Sequence, residues 1–179
     1  MLENGCMWDR MTCDYAAAGG HLEVLKWARK QDCSRRSSTS STSWTSGTCS
    51  SAAEGGNLEV LKWLREHDCP WDAMTCVRAA EHGHLEVLQW ARAHGCEWGE
   101  WKTCCAAASG GHLEVLKWAR EHGCPWDART CTYAAGGGHL KVLRWLRENE
   151  CPWNKNSCAQ SADGRGHAEV ARWVRAQAL

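Results

Sequence analysis

Residues 69–95 read C-P-W-D-A-M-T-C-V-R-A-A-E-H-G-H-L-E-V-L-Q-W-A-R-A-H-G, and close copies of this stretch fill the chain. The segment H-L-E-V-L-K-W or a near variant opens at His21, Asn57, His84, His112, His139 and His167, at spacings of 36, 27, 28, 27 and 28 residues. The first spacing is long for a local reason. Ten residues, 34–43, stand between Cys33 and Trp44, where other copies place a single Pro70, Pro125 or Pro152. Self-similarity at a fixed period marks a repeat architecture in which each unit is one supersecondary element. Composition agrees: 13 Trp and 13 Cys with no Phe among 179 residues is what copying one Trp- and Cys-bearing unit produces.

The second half of the unit has helical periodicity. With Leu85 at the origin and roughly 100° per residue, Trp90, Val87, Ala91 and Leu88 fall on one broad arc, with Glu86, Gln89 and Ala93 opposite. So wide an arc can be flanked on both sides, which predicts that this second helix is the inner one of the unit. Gly95 and Gly123 suit the left-handed residue that follows a helix, and Pro125 prevents its continuation. Asp32, Asp68 and Glu150 take the glycine's place in other copies, so those ends are less well specified.

The first half predicts a shorter, outer helix with a clear start. Asp9, Thr45, Asp72, Asp127 and Asn154 follow the motif Trp, and all are good N-caps. With Asp72 as the cap, Trp71 and Cys76 take the two positions that meet in a hydrophobic staple. Trp8 with Cys13, Trp44 with Cys49, Trp126 with Cys131 and Trp153 with Cys158 share the spacing. The fourth copy carries one extra residue between Trp98 and Lys102, which obscures its cap. Ala79 and Ala80 are small enough for close helix approach, and a Gly-rich turn such as 136–138 reverses the chain.

One such helix pair cannot bury its own apolar face, so neighbouring pairs must stack. The predicted fold is all-α, a solenoid of about six stacked antiparallel helix pairs with little or no β structure. The repeats fall at about 5–32, 44–68, 69–95, 96–123, 124–150 and 151–179. The Ser/Thr-rich stretch 34–43 reads as a disordered insertion, within which Arg35-Arg36-Ser37-Ser38 has the pattern of a basophilic kinase site. Indoles sheltered between units are expected to supply much of the stability, since a buried Trp removes roughly 150–250 Å² from water.

The unit resembles the ankyrin repeat. The resemblance is strongest in Ala79-Ala80-Glu81-His82-Gly83-His84-Leu85-Glu86-Val87-Leu88 and its copies, and it covers nearly the whole chain outside 34–43. It places Cys76, Cys104 and Cys131 where that family has the Leu of its first helix. It also implies a stack of helix pairs that binds proteins. Two features depart from the family. Its T-P-L-H signature is replaced by T-C-x-x, and the unit is about six residues shorter than the usual 33. The missing residues fall where ankyrin repeats project a hairpin finger, so a fingerless, nearly all-helical variant is expected. Leucine-rich repeats would need strand alternation, and tetratricopeptide repeats carry a different Trp-Leu-Gly-Tyr pattern.

Cysteine invites a chemical reading. Structural zinc sites use C-x₂₋₄-C pairs, and the nearest approach to one here is the adjacent Cys104-Cys105. Equivalent cysteines of stacked repeats should lie a helix-packing distance apart, about 8–10 Å, beyond the roughly 7 Å Cα limit of a disulfide. Cross-links along the column are therefore not expected, and the cysteines read as small buried hydrophobes. No metal or other cofactor is expected. A thiol-rich metal-binding or redox protein is the alternative reading. His21, His84, His112, His139 and His167 stand at the turn before the second helix, where a polar ring can bond exposed backbone groups. His67, His94 and His122 end that helix, where a cation suits the dipole. An active site would break the repeat with converging acid, base and nucleophile; no such break occurs, so an enzyme is not expected.

Formal net charge is zero, 21 basic against 21 acidic residues, which argues against nucleic-acid binding. No apolar run of about 18 residues spans a membrane and no secretory signal opens the chain, so an intracellular, cytoplasmic location is expected. Leu2-Glu3-Asn4-Gly5 resembles the end of a second helix whose beginning is missing, which points to a monomer or a piece of a longer array. The expected function is a protein-interaction scaffold. Invariant positions build it, and varying exposed positions of the outer helix read a protein partner. The candidate binding residues are Arg10, Met11, Tyr15, Met74, Arg78, Trp101, Lys102, Arg129, Tyr133, Lys155 and Gln160, rich in the types enriched at interfaces.

Overall fold

Each copy of the unit folds into two short antiparallel helices. A computed structural model describes residues 10–34 and 44–177, with side chains at 11–30 and 44–177. The first helices of successive units are α1 (Arg10–Ala18), α3 (Ser46–Glu54), α5 (Ala73–Glu81), α7 (Lys102–Gly110), α9 (Ala128–Gly136) and α11 (Lys155–Gly164). Their partners are α2 (Leu22–Ser34), α4 (Leu58–Glu66), α6 (Leu85–Ala93), α8 (Leu113–Glu121), α10 (Leu140–Glu148) and α12 (Ala168–Ala176). No strand occurs among the described residues, so the fold is the all-α solenoid that the repeat implies. The cap Asp9, the Trp8–Cys13 pairing, the segment 2–5, the side chain of Arg10 and the insertion beyond Ser34 lie outside the described residues.

The predicted caps form. Thr45, Asp72 and Asp127 accept from the backbone N–H two residues on, and Asn154 from the one three residues on. In the fourth unit Glu100 absorbs the extra residue with φ 50°, and α7 begins behind Trp101 without a side-chain cap. Asp68 and Glu150 reach the same left-handed region as Gly95 and Gly123, at φ 60° and 58°, so tertiary packing imposes the turn even without glycine. The first unit differs. Its second helix continues through Asp32 to Ser34, because neither Gly nor Pro stands there to stop it.

The stacking reverses the expected roles of the two helices. Successive first helices pack on one another along the whole column, whereas each second helix packs chiefly on its own partner. The reason is side-chain size. First helices meet through Ala52, Ala53, Cys76, Ala79, Ala80, Ala107 and Ala108, all fully buried, which lets their backbones approach closely. Second helices carry Trp, Leu, Lys and Arg, and these hold them apart. A column spaced more tightly on one side bends toward that side, so the first helices line the inside of the curve. The helix expected to be inner is thus the outer one.

The core runs continuously along the stack and is aliphatic. Leu25, Leu61, Leu64, Leu88, Leu116, Leu143 and Leu146 are fully buried, with Val87, Val142, Val174 and the cysteines beside them. Contrary to expectation, few of the indoles join the core, Trp44 being the one that is buried among the described residues. Most are half-buried at its edge, and Trp27 is 36% exposed. Within a unit the two Trp meet edge-to-face or at a tilt: Trp71 with Trp90 at 5.9 Å, Trp126 with Trp145 at 5.8 Å. The guanidinium closing one unit lies over the first Trp of the next, as Arg65 over Trp71 at 4.4 Å and Arg120 over Trp126 at 3.9 Å. These contacts tie unit to unit from the rim.

Candidate interaction surface and the buried cysteines

The helical period decides which varying positions of a first helix reach solvent. Of the two residues after the N-cap and the two after the Cys, only the second of each pair emerges, one turn apart on the same face. That rule places Met11 with Tyr15, Met74 with Arg78, and Arg129 with Tyr133 side by side on the inside of the curve. Tyr15 is 69% exposed, Met11 52%, Tyr133 40% and Met74 38%. Lys102 and Gln160 occupy the same ribbon and are exposed. The alternate positions turn inward. Val77 and Cys105 are buried, Asp14 accepts from Thr48 Oγ1 at 2.7 Å, and Thr132 Oγ1 donates to the Ala128 carbonyl.

Four candidates already have partners within the chain. Trp101 is half-buried under the Arg129 guanidinium of the next unit, 3.5 Å from the ring centre. Arg129 also bonds Asp127, which holds that carboxyl below the usual carboxylate range. Lys155 donates to the Gln177 carbonyl at 2.5 Å, which ties it to the end of α12 and off the ribbon. Arg78 pairs with Glu81 at 2.9 Å and lies 3.9 Å from Glu54 of the preceding unit, and half-exposed pairs of this kind add little stability.

The turn histidines form a ladder. Nε2 of His84 donates to the Glu54 carbonyl at 2.9 Å, and Nε2 of His139 to the Ser109 carbonyl at 2.9 Å. Asn57 makes the same link with its amide, to the carbonyls of Ala17 and Ala18. Each ring thus satisfies an orphan carbonyl at the end of the previous first helix. His67, His94 and His122 cap their own helices, with Nδ1 on the carbonyl four residues back at 2.7–2.8 Å.

The buried threonines were not singled out by the sequence pattern, although their recurrence before the motif Cys was the available signal. Thr48 and Thr130 close capping boxes, and Thr103 accepts from the Gly99 N–H. Thr75 Oγ1 is buried without a hydrogen-bond partner.

The described cysteines are buried, as expected, and free of cross-links. Equivalent cysteines are not the ones that meet. Instead four first-helix cysteines each meet the cysteine that opens the next unit, twenty residues later. The thiols of Cys104 and Cys124 lie 3.0 Å apart, the Cys49 thiol reaches the Cys69 carbonyl at 3.9 Å, and Cys76 with Cys96 and Cys131 with Cys151 shift each other's pKa in the same way. Among the described residues, no group of three or more His, Cys, Asp or Glu stands close enough to hold a metal ion.

Stacked helix pairs joined by glycine turns, without strands among the described residues and with varied side chains along one ribbon, define a helical repeat solenoid. Residues 104–147 match the family described as ankyrin repeats (many copies), which supports the likeness of the unit to that family. No curated protein matches the chain. Ankyrin repeats are in general protein–protein interaction modules and usually carry no catalytic activity. Among the described residues, no helix is long and apolar enough to cross a membrane.

Proposed function

We propose that this chain is a non-catalytic scaffold that binds a protein partner along the ribbon of first-helix side chains inside its curve. One observation carries the reading. The same two positions emerge together in three units, as Met11 with Tyr15, Met74 with Arg78 and Arg129 with Tyr133, in different combinations of Met, Tyr and Arg. The positions beneath them repeat Thr, Cys and Ala almost unchanged. Tyr15, Arg78 and Tyr133 are the anchors of this surface, with Met11 and Met74 as adaptable apolar contacts. Lys102, Arg129 and Gln160 supply its polar rim, and Trp101 acts through Arg129, which it supports. Zero net charge fits a protein partner better than nucleic acid. Cysteines left as free thiols suit a reducing, intracellular compartment. The scaffold works as a monomer or as part of a longer array.

Quantitative affinity capture tests the reading. The chain and a variant with alanine at Tyr15, Arg78 and Tyr133 are immobilised side by side, with helicity checked by circular dichroism. Proteins held by the natural chain should be depleted at least tenfold on the variant. Equal retention of every captured protein by both would refute binding through this face.

A further inference from the structure

Four pairs of buried thiols sit at the joints between units, each with one sulfur on a first helix and the other on the residue that opens the next unit. Cys49 and Cys69, Cys76 and Cys96, Cys104 and Cys124, and Cys131 and Cys151 are all at most 1% exposed. The 3.0 Å separation of Cys104 and Cys124 is only about 1 Å longer than a disulfide bond. Two other cysteines provide a contrast within the same fold. Cys105 hydrogen-bonds Thr130 Oγ1 and Cys158 hydrogen-bonds Thr132 Oγ1. The pairing therefore follows from the joint and not from cysteine abundance.

The two members of a pair differ chemically. Each opening cysteine is lowered in pKa, first because its partner thiol donates to it and then because a guanidinium stands nearby: Arg65 at Cys69, Arg92 at Cys96, Arg120 at Cys124, and Arg120 with Arg147 at Cys151. Those arginines are fixed in place. Arg65, Arg120 and Arg147 donate to the carbonyl of the neighbouring opening cysteine at 2.5–2.6 Å, and Arg92 does the same at Cys96. Each first-helix cysteine is raised, because it donates that hydrogen bond and is buried. A joint therefore holds one sulfur suited to be the thiolate and one suited to resolve what the thiolate forms.

We propose that these joints are oxidation sites: a peroxide converts each thiol pair to a disulfide that ties one repeat covalently to the next. The thiolate of an opening cysteine such as Cys124 attacks a peroxide oxygen. An S–O bond forms, the O–O bond breaks, and the departing hydroxide takes up a proton as water. The Cys104 sulfur then attacks the Cys124 sulfenic acid. The S–S bond forms as the S–O bond breaks, and the second oxygen leaves as water with the Cys104 proton. Two thiols lose two electrons in total, and one hydrogen peroxide becomes two waters. Reduction by a thiol reverses the change.

The test uses the full chain, reduced, desalted and exposed to hydrogen peroxide under native conditions, with remaining thiols alkylated before digestion and mass spectrometry. Bridges 49–69, 76–96, 104–124 and 131–151 should appear, each making the chain two hydrogens lighter, while Cys105 and Cys158 are alkylated or over-oxidised. The oxidised chain should also unfold at higher urea, and dithiothreitol should reverse the shift. Cys124→Ser should lose only the 104–124 bridge, and Cys124→Ala serves if the serine variant loses helicity. A parallel equilibration in a glutathione redox buffer waits out slow opening of the joints. Bridges between other cysteines, or pairs still reduced at oxidising equilibrium in the folded chain, overturn the proposal.

Discussion

His139 donates through Nε2 to the Ser109 carbonyl, and the same ring fills the space beside Gly111, where an added Cβ would stand 2.4 Å from Nδ1. The glycine of one unit and the histidine of the next are therefore one interlocking part. Gly111 is needed for its φ of 78° and again for the room it leaves, whereas Gly123, at φ 81°, faces open space. Gly123→Ala should cost about 1–2 kcal/mol, the price of left-handed backbone for a residue with a Cβ. Gly111→Ala should cost a further ~1–3 kcal/mol of overpacking against the ring. Urea denaturation of the two variants measures the difference, and equal midpoints would dissolve the interlock.

Asn57 shows that an amide can replace a ladder histidine. His112→Asn should therefore retain stability better than His112→Ala, which leaves the Glu81 carbonyl without its donor at a cost of about 1 kcal/mol. The two substitutions should also separate in pH. Burial, together with the neighbouring His139, His84 and His82, lowers the His112 pKa below its ordinary 6.5. In that window the unfolded chain binds more protons than the folded one. The contribution of His112 is therefore full above 6.5 and is lost as pH falls toward the lowered value. Stability measured from pH 7.5 to 5 should fall less for His112→Asn, and an unchanged slope would remove His112 from the account.

Asp68 and Glu150 hold backbone geometry that their glycine counterparts adopt without strain. Asp68→Gly and Glu150→Gly should each stabilise the chain by about 1 kcal/mol, the relief of the left-handed conformation less the entropy of glycine. Thermal or urea midpoints should rise in both variants and add in the double variant, since the two turns lie in different units. A fall in either midpoint would show that the native side chain contributes more than the strain removes.

Thr48 and Thr75 occupy the same position in adjacent units with opposite hydrogen-bonding outcomes. Thr48 Oγ1 donates to the Asp14 carboxylate at 2.7 Å, whereas Thr75 Oγ1 is buried unpaired. Thr48→Val should cost about 1.5–3 kcal/mol, the range of a hydrogen bond to a charged group. Thr75→Val should be neutral or stabilising by up to about 1 kcal/mol, because it removes an unpaired buried hydroxyl. The pair of midpoints decides between them, and similar losses at both positions would show that shape alone matters there.

Local patterning carried much of this fold. Asp72 before Thr75 and Cys76 marked a helix start, Val87, Leu88 and Ala91 marked the buried stripe of its partner, and Gly83 marked the turn between them. Those features depend on residues a few positions apart, whose chemistry is readable without knowing what lies across the joint. The candidate ribbon was readable to the same depth. The varying positions were visible, but four per helix were candidates, and burial of Val77 and Cys105 against engagement of Asp14 reduced them to two.

The amino-acid order fixed the period, the caps, the turns and the aliphatic stripe of the core, because each is set by short-range backbone and hydrophobic preferences. Stacking alone settled which helix column lies inside the curve, which indoles stay at the rim, and that Cys104 meets Cys124. Twenty residues correspond to no helical or strand period, so the thiols become neighbours only through the offset with which one unit seats on the next. That offset is set by small side chains in contact, Ala against Ala and glycine against histidine, and it exists only once the units are assembled.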